Sequence, residues 1–169
     1  MSYQRKNAFW YAFVFFNKVC DDGCIATNNG ARSKLVRQKP ASPLKSVNHE
    51  DDCAHFVSCC IGRLGGGLQL GQWDLPPAYG VLSPGGLMAR LTSKGLASVA
   101  GRNLSGAKAA AGVAALDPGD VVLYGSGGML FHSALYLGAG LIACHTHSRW
   151  GLPFTSVTFD TVTLLHIHG

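Results

Sequence analysis

The pattern of apolar and polar positions places helical elements first along the chain and strand-like elements after them. Residues 3–19, YQRKNAFWYAFVFFNKV, are dense in aromatic and aliphatic side chains and read as a buried first helix, ended by the turn signal DDGC. Residues 26–48, ATNNGARSKLVRQKPASPLKSVN, are polar and basic, hold two prolines and predict a long loop. A second helix is expected from about Cys53 to Arg63, with Asp51 or Asp52 as its N-cap. Cys53, Phe56, Val57, Cys60 and Ile61 recur along it at three- and four-residue spacing, so one stripe packs inward, and the glycines at 65–67 stop it. Residues 68–85 carry Pro76, Pro77 and Pro84 and predict irregular chain. A third helix is expected from about Leu87 to Lys94, closed by Gly95. AGVAALDPGD then runs from a short apolar segment through a Pro-Gly turn into a strand, Val121 to Tyr124. MLFHSALYLG and LIACHTHSR follow as two strand-like runs joined by a Gly-Ala-Gly turn, and SVTFDTVTLLHIH supplies one or two more. Helices followed by an antiparallel sheet give an α+β arrangement rather than βαβ units, and residues 1–169 make a single domain.

Composition narrows the classes. The chain is 47% hydrophobic and 14% charged, which excludes a disordered protein. Its net charge is +5, and eight of its fourteen Lys and Arg fall in the first 45 residues, which suits an anionic partner. The basic loop 26–48 has no interleaved aromatics and so no base-stacking platform, which argues against nucleic acid. The apolar run Ala8 to Phe16 is too short to span a bilayer, so no membrane insertion is expected. It also lacks a small-x-small cleavage site, so it reads as a helix and not as a signal peptide. Six cysteines are present, three of them crowded between Cys53 and Cys60. That spacing fits neither a disulfide framework nor paired zinc ligands, and most are expected to be reduced and buried. Cys20 and Cys24 have no matching second pair for a zinc site.

Candidate chemistry begins at Cys53. In the first turn of a helix, unpaired backbone N–H groups and the positive end of the helix dipole stabilise a thiolate, and the same N–H groups can hold an oxyanion. Taken alone, the position is more often that of a packed cysteine beside an N-cap aspartate. Cys59 and Cys60 lie farther into the helix and read as packing residues. A thiolate needs a base, and strand alternation sets His132, Ala134 and Tyr136 on one face, with Phe131, Ser133, Leu135 and Leu137 on the other. The imidazole in turn needs an orienting acceptor, and the next strand offers His145 and His147. A Gly138-Ala139 turn sets His145 opposite His132, whereas an Ala139-Gly140 turn sets His147 there. The glycine-first type II′ preference selects His145. The competing arrangement is a zinc site of His132, His145 and His147.

Read together, DDCAHFVSCC, LDPGDVVLY, HSALYLG and HTHSR resemble the amidase domain of the papain-like cysteine peptidases, relatives of the NlpC-type enzymes that cleave bacterial cell-wall peptides. That family carries an Asp-Cys-x-x-Phe-Val helix start, here Asp52 to Val57, and a Gly-Asp strand, here Gly119-Asp120. It carries a histidine followed by a short apolar strand and glycine, here His132 to Gly138, and a third polar residue on the next strand, where His145 stands. The likeness runs from residue 3 to residue 151. Loop 26–48 is longer and more basic than the family pattern, and the aspartate-rich loop before the histidine is reduced to GSGGML.

The resemblance implies a papain-like fold and a Cys53–His132–His145 triad, with the backbone N–H of Cys53 in the oxyanion hole and Asp52 as helix cap. It implies hydrolysis of an amide, most naturally in peptidoglycan, without metal or organic cofactor. Without a clear signal peptide, the expectation is a protein made in the bacterial cytoplasm and released to the wall by a lysis or secretion route, with an immunity or inhibitor protein as a candidate partner. The alternatives are a thiol enzyme acting elsewhere, such as a deamidase, transglutaminase-like enzyme or acyltransferase, and a basic binding module without catalysis.

Overall fold

The computed structural model describes residues 2–28, 33–44, 52–71, 83–145 and 149–169. Its helices are α1 (Arg5–Phe15), α2 (Cys53–Ile61), α3 (Pro84–Ser93) and α4 (Gly106–Ala114). A two-stranded hairpin pairs β1 (Cys24–Asn28) with β2 (Ser33–Arg37). A six-stranded antiparallel sheet contains β3 (Ala97–Leu104), β4 (Val121–Ser126), β5 (Met129–Gly138), β6 (Leu141–Cys144), β7 (Arg149–Pro153) and β8 (Thr161–Ile167), in the order β3-β8-β4-β5-β6-β7. The chain is therefore α+β with antiparallel sheets. Among the described residues no helix is long and apolar enough to cross a membrane.

Strand alternation divides the sheet into two faces. Val121, Leu123, Leu135, Ala143, Leu165 and Ile167 face α1, α2 and α3 and form one core. Val122, Tyr124, Ala134, Tyr136, Ile142, Cys144, Val162 and Leu164 face Ala109 and Val113 of α4 and form the other. Burying a Leu or Val side chain in such a layer is worth about 1.5–3 kcal/mol. On the outer side of α1, Phe9, Phe13 and Phe16 gather round Trp150 of β7, with ring centroids 5.2, 5.2 and 5.8 Å away.

Several elements depart from the sequence reading. The basic segment 26–48 is expected to be a loop, yet β1 and β2 lie largely within it; their polar strands are joined by backbone pairing, which hydropathy does not register. Residues 29–32 and 45–48 of that segment, like 72–82 of the expected irregular stretch, lie outside the described residues. β3 follows Gly95 with half-exposed residues and two register shifts against β8, so it lacks a clean alternating signal. The short apolar segment before Pro118 is α4, an alanine-rich helix with Ala109 and Val113 turned inward. β7 follows β6 as a separate strand. The third helix starts earlier than expected because Ser83 caps it, accepting from the Gly86 N–H, with Pro84 in the first turn.

The Gly-Asp pair before β4 joins the chain's ends. Asp120 is fully buried and accepts from Arg5 Nη1 at 2.8 Å, from the Ile167 N–H at 2.9 Å and from the Asp117 N–H at 2.9 Å, and it meets His166 Nδ1 at 3.0 Å. Arg5 also donates to the Ile167 carbonyl. Gly119 stands at φ +93, and a Cβ there would lie 2.9 Å from Tyr3 Oη, which donates to the Gly119 carbonyl. Gly66 is equally confined, since its Cβ would lie 2.2 Å from the Tyr3 ring. Asp120→Ala strands the half-buried Arg5 cation and two N–H groups at once. Its expected cost is about 3–5 kcal/mol, the loss typical of breaking a buried pair, measured as the shift in the urea midpoint. A loss below about 1 kcal/mol would contradict this role.

Candidate functional site

α2 begins at Cys53, as the sequence reading expects, with Asp52 in the N-cap position. Cys53 is buried, and α2 packs on β5 and β6 of the sheet and against α1, α3 and β1. The expectation that Asp52 caps the helix is corrected: its side chain makes no capping hydrogen bond. Its carboxylate instead accepts from the Ala26 N–H of β1 at 2.5 Å, with Oδ1 also 2.8 Å from His55 Nδ1 and Oδ2 2.6 Å from His145 Nδ1. Two imidazoles outcompete the helix N–H groups for a fully buried carboxylate, because they offer charge-assisted hydrogen bonds. Burial works to raise the Asp52 pKa, but the His55 and His145 rings outweigh it and hold the group at about 2.

His145 is saturated by other partners. Its Nε2 donates to the Phe15 carbonyl at 2.6 Å, closing the C-terminal end of α1, and its ring stacks on Phe56 at 4.1 Å. The expected register is also corrected. Gly138 pairs with Leu141 across an Ala139-Gly140 turn, with both turn residues at positive φ (51° and 76°), and a bulge at Leu137 then sets Tyr136 opposite Ile142 and Leu135 opposite Ala143. Continued, that register brings Ser133 to the position opposite His145, on the α2 face. His132 pairs with Tyr124 of β4, its ring 5.5 Å from the tyrosine ring, in phase with Ala134 and Tyr136 on the α4 face. A single-residue slip moves a whole strand face, which is why the hairpin assignment turned on one bulge. His145 therefore orients Asp52 and not His132. His147 lies outside the described residues.

A thiol–imidazole pair stands within α2. Cys59 Sγ is 3.5 Å from His55 Nε2, which also meets Asp22 Oδ2 at 2.8 Å. Burial opposes protonation of His55, but Cys59, Asp52 and Asp22 outweigh it and raise its pKa well above the usual histidine range. The hydrogen-bonded Cys20 thiol and burial push the Cys59 thiol well up, and burial pushes Cys20 up to about 12. Sequence pattern alone does not single out His55 or Asp22, and it reads Cys59 as a packing residue. The signal was Asp52-x-x-His55-x-x-x-Cys59, since residues three and four apart share a helix face. Among the described residues, two groups bring metal-ligating atoms together: Cys20 with His55 and Cys59, and Asp117 with Asp120 and His166. The second is engaged by Arg5 and backbone N–H groups. A groove beside α1, lined by Arg5, Lys6, Trp10, Pro118 and Leu137, includes none of Cys53, His132 or His145.

No protein-family model, curated protein or solved structure matches this chain.

Asp52 as a buried junction and Asp52 as a simple cap differ in magnitude. Loss of a cap costs about 1 kcal/mol, whereas Asp52→Ala, which leaves two buried imidazoles without their carboxylate, is expected to cost about 3–5 kcal/mol. Equilibrium urea unfolding of the variant separates the two.

Proposed function

We propose that this protein is a cysteine-dependent amide hydrolase of the papain-like kind, with Cys53 as nucleophile and His132 as general base, acting on peptide amides of peptidoglycan. The observation that carries the reading is Cys53 in the first turn of α2, a helix whose start is fixed by the Asp52 carboxylate to β1 and to His145. A thiolate there gains from the helix dipole, and first-turn N–H groups are the kind of donors that hold an oxyanion. Cys59 is the poorer nucleophile, because it lies past the first turn of α2 and its hydrogen bond with Cys20 favours the thiol over the thiolate.

His132 stands on β5, the strand on which α2 packs, beside a bulge at Phe131 in the β4–β5 ladder; its alternation phase is that of the α4 face, so in this reading the bulge must turn its ring toward Cys53. Bulges re-aim the side chains beside them and are common next to active sites. In the reaction, His132 takes the Cys53 proton and the thiolate adds to the amide carbonyl. The C–N bond breaks as His132 returns that proton to the leaving amine. Water then hydrolyses the thioester, releasing the carboxylic acid and restoring the thiol. His145 acts at one remove as a positioning residue, through Asp52. A net charge of +5 suits the anionic wall polymer. Such an enzyme would reach the wall by a lysis or secretion route, held in check before release by an inhibitor protein.

Purified cell walls embedded in a zymogram supply the first test, with soluble wall peptides for kinetics. Cys53→Ala and His132→Ala are each expected to lower turnover by about 1000-fold or more, with Cys53→Ala leaving the melting temperature within a few degrees of wild type. Iodoacetamide should label Cys53 ahead of Cys59 and Cys20, in step with loss of activity. Wild-type turnover in Cys53→Ala would end the assignment, and hydrolysis of free glutamine amides without wall cleavage would move it to a deamidase.

A further inference from the structure

Three metal-ligating groups outside the proposed catalytic set converge beneath β1, with a carboxylate at their edge. Cys20 Sγ, Cys59 Sγ and a ring nitrogen of His55 all lie within 4.8 Å of one another. Asp22 Oδ2 borders this trio without belonging to it, hydrogen-bonded to His55 Nε2 at 2.8 Å and 3.9 Å from Cys59 Sγ. Cys20 and Asp22 come from the tight turn between α1 and β1, where the Gly23 N–H donates to the Cys20 carbonyl. His55 and Cys59 come from successive turns of α2. Cys20, His55 and Cys59 are buried, and the Asp22 side chain is only 10% exposed.

We infer that Cys20, His55 and Cys59 form a structural site for a zinc-class divalent ion that fastens the α1–β1 turn to the nucleophile-bearing helix, the ion displacing the His55 Nε2 proton and drawing the Asp22 carboxylate in as its fourth ligand.

The donor set is two sulfurs, one imidazole nitrogen and one carboxylate oxygen, a soft and borderline mixture that favours Zn2+ over the hard cations. With Zn–S near 2.3 Å and Zn–N near 2.0–2.1 Å, a tetrahedral ion sets sulfur and nitrogen about 3.5 Å apart. The Cys59 Sγ to His55 Nε2 separation is 3.5 Å. The outer contact agrees as well. Ligating histidines almost always pass their other ring N–H to a carboxylate or carbonyl, which fixes the tautomer. Here His55 Nδ1 meets Asp52 Oδ1 at 2.8 Å, leaving Nε2 to face the two sulfurs and Asp22. With Asp22 drawn in as the fourth protein ligand, the buried pocket leaves no open position for substrate, the mark of a structural ion and not a catalytic one. The site does not depend on the chemistry assigned to Cys53.

The rival for the same atoms is a Cys20–Cys59 disulfide. The test uses the full chain expressed in zinc-supplemented medium and purified with reductant and without chelator. Elemental analysis should find about one zinc per chain, as a closed four-ligand site requires. Exchange into Co2+ should give the intense visible bands of a tetrahedral ion and near-ultraviolet thiolate charge transfer. Cys59→Ser and Cys20→Ser should lose the zinc, Cys53→Ser and Cys24→Ser should keep it, and Asp52→Asn should weaken Co2+ binding by about 10- to 100-fold. Should the ligand variants fail to fold, wild type still decides. Bound zinc must protect Cys20 and Cys59 from a thiol reagent and be released when a mercurial titrates them. A metal-free wild type, equal thiol reactivity with and without zinc, or a mapped Cys20–Cys59 disulfide under these conditions would each overturn the site. Loss of hydrolase activity in Cys53→Ser with zinc retained separates this result from the fate of the catalytic reading.

Discussion

One buried carboxylate organises this molecule. Asp52 stands where the chain turns into α2, and its two oxygens reach β1, the first turn of α2 and the residue that follows β6. An unpaired carboxylate in that position would be intolerable, so its partners are constrained in turn. His145 must present Nδ1 to it and turns Nε2 to the end of α1. His55 must hold Nδ1 toward it and thereby aims Nε2 at Cys59 and Asp22. The placement of Cys53 follows from the same fixture, because the residue is covalently next to it.

The elements that carry strong periodic patterns were legible in the sequence. α2, β4 and β5 have fully buried stripes, so hydrophobic spacing located them, and the alternation of His132, Ala134 and Tyr136 against Leu135 and Leu137 is the one the two cores display. What hid was structure made by backbone pairing or by small residues: the polar hairpin β1–β2, the half-exposed β3 and the alanine-rich α4. Hydropathy has nothing to register in such segments.

The candidate site was legible in residue types more than in pairings. Cys53 at a helix start needed only the helix boundary. The partner of His145 needed the hairpin register, and that rested on the bulge at Leu137, a feature no turn preference announces. Asp52 looked like a cap because short acidic residues usually are, whereas burial beside two imidazoles gives it stronger partners. His55 was visible at helical spacing between Asp52 and Cys59, but only the turn bearing Cys20 and Asp22 gives that spacing a purpose.

The contact between the Phe15 carbonyl and His145 bears on the order in which the molecule is assembled. It spans 130 residues, and the Asp52–His145 contact spans 93. Contacts of such separation are late events in folding, since the intervening chain must be gathered first. During synthesis from the N-terminus, α1 and α2 emerge well before the strand that ties them. A nascent chain that has not reached residue 145 therefore carries Cys53 on a helix whose neighbouring carboxylate still lacks one of its imidazoles. The thiol is brought into its final setting only when β6 is laid down, so the finished geometry belongs to the completed chain and not to its growing fragments.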